Sequence, residues 1–201
     1  MQQKIKTLED LKDKLYLWKS YNEENLEKIV SEFEKFPRKE FSISYIPMLT
    51  DSLLAEHLIT IGKIFPANTH MLINIISSIG NMVGRYKLYP TDKVFDFFKE
   101  ATTHKKVNYY VSLNISSFPQ YTSWEERWDY LISIPNISPK KKSIVNFHTE
   151  VKKMLSAKGI IPFQVAEKIV IILKNHINTG ELSDYSIEDY LNTIHALEQK
   201  T

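Results

Sequence analysis

Glycine is scarce in this chain: five of 201 residues, at 62, 80, 84, 159 and 180. Loops that bring backbone against a phosphate or an acyl group need glycine for close approach or positive φ, and none of the five sits in such a frame. Gly80-x-x-x-Gly84 followed by Arg85 lacks the lysine and hydroxyl residue of a phosphate loop. The eight prolines lie almost wholly at the edges of apolar-periodic segments. A sequence punctuated in this way reads as packed helices, and favours binding over catalysis.

Composition agrees. Hydrophobic residues make up 43% and charged residues 25%, as in a globular protein able to bury a core. There is no cysteine, so disulfides and thiolate metal sites are excluded, in keeping with a reducing compartment. The opening residues Met1 to Lys14 are polar, no apolar run approaches the length of a membrane span, and a cytoplasmic location is expected.

Helical spacing recurs along the chain. Thr7 caps a first helix carrying Leu8, Leu11, Leu15 and Trp18. Asn22 caps a second, stopped by Pro37. The spacing predicts further helices over 52–64, 69–86 and from Asp92, then one over 124–134 capped by Ser123. Ser138-Pro139 reads as cap and first helical position of a long helix ended by Gly159. Residues 162–176 are apolar around most of the circumference and are expected at the centre of the packing. Ser186 caps a last helix over 187–199 with Ile187, Tyr190, Leu191, Ile194 and Leu197 on one face. Residues 107–115 alternate as a strand would and fit a helix nearly as well; residues 41–45 also alternate. The helical neighbours favour helix, and two strands would make the class α+β. The resulting expectation is an all-α, right-handed stack of about eight to nine antiparallel helices, a solenoid or an irregular bundle, forming one domain.

Pro47, Pro90 and Pro135, each preceded by Ile or Tyr, are 43 and 45 residues apart. In this the chain resembles a degenerate HEAT or armadillo-type array, whose period is about 40–47 residues. The resemblance implies a HEAT-like core over 41–180, an N-terminal helical pair over 1–40 and a capping helix over 181–201. Ile61-Gly62-Lys63-Ile64 and Ile79-Gly80-Asn81-Met82 echo one another, as expected of facing helices whose glycines let backbones cross.

The six histidines, at 57, 70, 104, 148, 176 and 195, include no pair at zinc-helix spacing, and no nucleophile elbow exists. No cofactor or metal is expected. An enzyme would need side chains such as His104, His148 and Asp129 to converge from separate segments.

Two stretches concentrate recognition chemistry. In Ser123-Trp-Glu-Glu-Arg-Trp-Asp-Tyr130 a helix would align Trp124 and Trp128 on one face beside Arg127. This is either a core pair or a hot-spot surface. In residue types it also resembles HEAT-like DNA glycosylases, which implies a base-holding face. Lys140, Lys141 and Lys142 occupy a first helical turn, where the macrodipole favours acids. With Lys152, Lys153 and Lys158, and with Lys105, Lys106, Tyr109 and Tyr110, they form either a basic partner-facing surface or a solvated charge run. Residues 85–160 hold thirteen basic against seven acidic side chains, and residues 161–201 three against six. That polarity suits either a charged partner or layers of opposite sign attracting one another.

The expected function is a non-catalytic protein-binding module, in its sharpest form an immunity-type inhibitor masking the active site of a toxin or enzyme. The alternatives are nucleic-acid binding through the basic face and an enzyme with a dispersed site.

Overall fold

The computed structural model describes residues 2–157 and 160–199. Among these residues there are eleven α-helices, several short 3-10 turns and no strand, so the all-α class is observed. Contacts divide the chain, read from sequence as one domain, into two compact units meeting at Ser123 and Trp124.

The first unit contains α1 (Gln2–Tyr16), α2 (Glu23–Lys39), α3 (Ile46–Leu49), α4 (Ser52–Ile64), α5 (Thr69–Tyr86), α6 (Asp92–Ala101) and α7 (Asn108–Ser112). The face of α2 bearing Leu26, Val30 and Phe33 packs most extensively on α5, which presents Met71, Ile75 and Ile79. Helix α1 covers α2 and α4, and α4 joins α5 and α6. Helices α4 and α5 begin and end where the periodicity places them, because each has an asparagine or aspartate cap: the Asp51 and Asn68 side chains accept from Leu53 N–H and Met71 N–H at 3.0 and 2.9 Å.

Other boundaries differ. Helix α1 begins at Gln2, and Thr7, expected as its cap, lies inside it with its hydroxyl donating to the Gln3 carbonyl at 2.9 Å. Asn22 caps α2 as read, accepting from Asn25 N–H at 2.9 Å. Pro37 does not stop that helix, which runs to Lys39; Arg85 of α5 donates to the Pro37 carbonyl at 3.0 Å and to that of Arg38, serving acceptors the helix end leaves open. The alternating segments are helical turns, α7 with a 3-10 turn at Ile115–Ser117 and another at Ile43–Tyr45. The paired glycines do not face each other: a Cβ on Gly62 would lie 2.8 Å from the Phe97 ring, and one on Gly80 would overlap the Asn114 side chain.

The second unit contains α8 (Arg127–Ser133), α9 (Lys140–Ser156), α10 (Phe163–Ile177) and α11 (Asp184–Glu198). Its core is Leu131, Phe147, Val151, Ile169, Leu173, Ile194 and Leu197. Helix α8 starts at Arg127, three residues later than read, and Ser123 ends a 3-10 turn of the first unit instead of capping it. Pro139 is the residue before α9 and not its first helical position, while Gly159, the expected end, lies outside the described residues. Helix α10 is not central: it buries Ala166, Ile169 and Leu173, while Phe163 and Ile171 are 58% and 57% exposed. Ser183, not Ser186, caps α11, accepting from Ser186 N–H at 3.3 Å, and Leu191 points outward. Pro47 and Pro135 each stand at the start of a helical turn, α3 and the 3-10 turn after α8, whereas Pro90 lies in the loop before α6.

Candidate functional site

The basic face read along α9 is smaller than its lysine count. Lys152 pairs with Asp189 of α11, its Nζ 2.9 and 2.8 Å from the two carboxylate oxygens. Lys153 pairs at 2.6 Å with Glu150, which is only 2% exposed. The first of these joins neighbouring layers of opposite sign, as the charge distribution allowed for, and the second lies within α9; together they leave little cationic surface on that stretch of the helix. Lys158 lies outside the described residues. Lys141 reaches Glu181 loosely, at 3.7 Å. Lys140 and Lys142 are exposed and have no ion-pair partner among the described residues.

The aromatic candidates fall in different settings. Tyr109 and Tyr110 belong to α7 of the first unit, half-buried and edge-to-face with centroids 5.5 Å apart. Trp124 precedes α8, so it does not share a helical face with Trp128. It stacks obliquely on Tyr130 at 5.5 Å, and its carbonyl accepts from Arg127 Nη1 at 2.8 Å. The Arg127 guanidinium lies 4.9 Å from the centre of the Trp128 ring. All three residues are half-buried in this local cluster, where Arg127 is engaged on both tryptophans.

What the second unit does assemble is a cleft of about 560 Å³ at the N-terminal end of α9. Ile132, Pro135, Ile144 and Ile172 supply an apolar surface; Lys140 and Lys141, Asn136, Asn175, His176, Thr179 and Glu181 supply polar groups. The size and mixture suit a ligand or side-chain pocket. Proline in the turn between α8 and α9 sets the chain direction there, and α10 brings His176 in its last turn.

His176 is held from behind. Its Nδ1 lies 3.0 Å from Tyr190 Oη on α11. Burial, joined by Asp189, pushes the Tyr190 phenol up to about 12, so it keeps its proton. Burial also lowers the His176 pKa; Glu181 opposes that and Lys141 adds to it. The neutral ring therefore accepts from the Tyr190 hydroxyl at Nδ1 and carries its own hydrogen on Nε2. Beyond Tyr190 stands His148, 5% exposed, its ring centroid 3.9 Å from that of Tyr190. Thr193 Oγ1 donates to the Asp189 carbonyl at 2.9 Å and so accepts from His148 Nε2–H, also at 2.9 Å. Burial pushes the His148 pKa down to about 4.

Of the residues proposed for a dispersed catalytic site, His104 lies in the first unit, Asp129 is exposed on α8, and the polar neighbours of His148 are Thr193 and Asp189. No group of three or more potential metal ligands occurs among the described residues. No helix there is long and apolar enough to cross a membrane. Sequence reasoning passed over His176 and Tyr190 as a pair, since they stand on different helices at no motif spacing. Compared with family models, with curated proteins and with solved structures, the chain finds no match.

Proposed function

We propose that the protein is a non-catalytic protein-binding module, in its sharpest form an immunity-type inhibitor that engages a toxin or enzyme and masks its active site. The observation that carries this reading is the pairing of two exposed, uncompensated lysines, Lys140 and Lys142, with the adjacent cleft and its apolar surface. Lysines in a first helical turn are unfavourable for the helix, so helix stability does not account for them. Cations beside an apolar recess suit an acidic, partly apolar segment of a partner protein. A nucleic-acid groove calls for a longer track of free cations, and the engagement of Lys152 and Lys153 by Asp189 and Glu150 favours the protein partner.

The test is affinity capture from the source lysate, with and without nuclease, using the wild-type chain and the variant K140E/K142E. One stoichiometric protein retained after nuclease by the wild type and lost by the variant is the expected result. Disappearance of every partner on nuclease treatment would overturn the reading in favour of nucleic-acid binding.

A further inference from the structure

The cleft combines three things that sequence spacing did not bring together: an exposed ammonium at Lys140, an apolar surface, and His176 with one ring nitrogen occupied by Tyr190. The hydroxyl of Tyr190 serves both charge states of the ring. It donates to Nδ1 when His176 is neutral and can turn to accept from Nδ1–H when His176 is protonated, its own hydrogen then directed away from the ring. Nε2 has no hydrogen-bond partner among the described residues. We infer that this cleft binds a carboxylate carried on an apolar group, gripped by Lys140 and His176, and that His176 takes up a proton as the carboxylate enters.

The electrostatic surroundings give the direction. The groups facing His176 are Lys140 and Lys141 of α9, Glu181 after α10 and Tyr190 of α11, with His148 across the Tyr190 ring. In the empty cleft burial disfavours the imidazolium, and Glu181 is the carboxylate that opposes this. An entering carboxylate adds a second negative charge and tips the ring to its charged form. The ligand then binds more tightly as pH falls, through the range in which the free ring is still neutral. Glu181 also competes with the ligand for Lys141, which leaves Lys140 as the available ammonium.

This inference rests on the cleft being the recognition site, and it is tested without any partner protein. The probe is 4-methylpentanoate, with its neutral amide and inorganic phosphate as controls, titrated into the labelled full-length chain between pH 6 and 8. Histidine ring and backbone amide resonances are followed by NMR. The acid is expected to shift the His176 and Asn175 signals, to raise the His176 pKa, and to bind several-fold more tightly at the acidic end of that range. H176Q should remove the pH dependence and K140Q should weaken the acid at every pH, with circular dichroism confirming that both variants fold. Equal binding of the amide, a pH dependence unchanged in H176Q, or no shift at His176 would each overturn the inference. Phosphate matching the acid would overturn the apolar half of it. Failure of the probe while K140E/K142E still loses its captured protein defeats this inference alone. Probe binding in the absence of any captured protein would retain the carboxylate site and overturn the protein-partner reading.

Discussion

At His148, burial and protonation oppose each other. The side chain is packed against Tyr190 with its one N–H given to Thr193, and its pKa falls to about 4 from an ordinary value near ~6.5. A depressed folded-state pKa means that the unfolded chain takes the proton first as pH drops. The stabilisation is whole above pH ~6.5 and is lost on the way down to about 4, amounting to about 3 kcal/mol at most. Urea unfolding at pH 7, 5.5 and 4.5 should show this decline, and H148F should flatten it; an equal slope in the variant would contradict the assignment. Gly80 offers a second residue-level test. Its missing Cβ is the space of the Asn114 side chain, so G80A should cost about 1–3 kcal/mol. Gly84, one turn on in α5, has only Ser117 at 3.5 Å, so G84A should be neutral or gain up to about 1 kcal/mol. Thermal melts of the two variants should move in different directions or by clearly different amounts.

Among the elements, α9 sets stability against recognition. Replacing Lys140 and Lys142 with glutamate, leaving the Lys141–Glu181 pair in place, should stabilise the helix by about 1 kcal/mol through the macrodipole while abolishing partner capture. A lower melting temperature for K140E/K142E would mean that the lysines make structural contacts. How legible the elements were in sequence follows from where their determinants lie. Helices α4 and α5 were bounded correctly because side chains of Asp51 and Asn68, adjacent in sequence, define their starts. The end of α2 was not legible, since the donor to its last carbonyls is Arg85, 47 or 48 residues away. Helix α10 looked central because periodicity reports how apolar a helix is and not how many neighbours cover it; Phe163 and Ile171 remain exposed. Lys140 and Lys141 were legible as candidates from the dipole conflict. Their cleft was not, because Ile132, Ile172 and His176 reach it from other helices.

For the molecule as a whole, division into two units makes a further expectation. Residues 1–123, expressed alone, should retain helical circular dichroism and a cooperative melt, since α1 to α6 supply a contiguous core including Leu26, Phe33, Ile75 and Phe98. Loss of helicity in that fragment would show that the units depend on one another for folding. Residues 124–201 carry ten basic and ten acidic side chains, so the unit holding the cleft has no net charge to attract anything. With Lys152, Lys153 and Lys174 matched by Asp189, Glu150 and Glu198, its uncompensated positive charge includes Lys140 and Lys142, close together at one end of α9. A field of that shape acts on the encounter between molecules more than on the finished complex. On the proposed reading, Lys142, outside the cleft lining, would speed approach, an effect that added salt screens away, whereas Lys140 and His176, which both line the cleft, would govern how long an occupant stays. Speed of capture and lifetime of the complex would then be separable through Lys142 and His176, while a change at Lys140 would alter both.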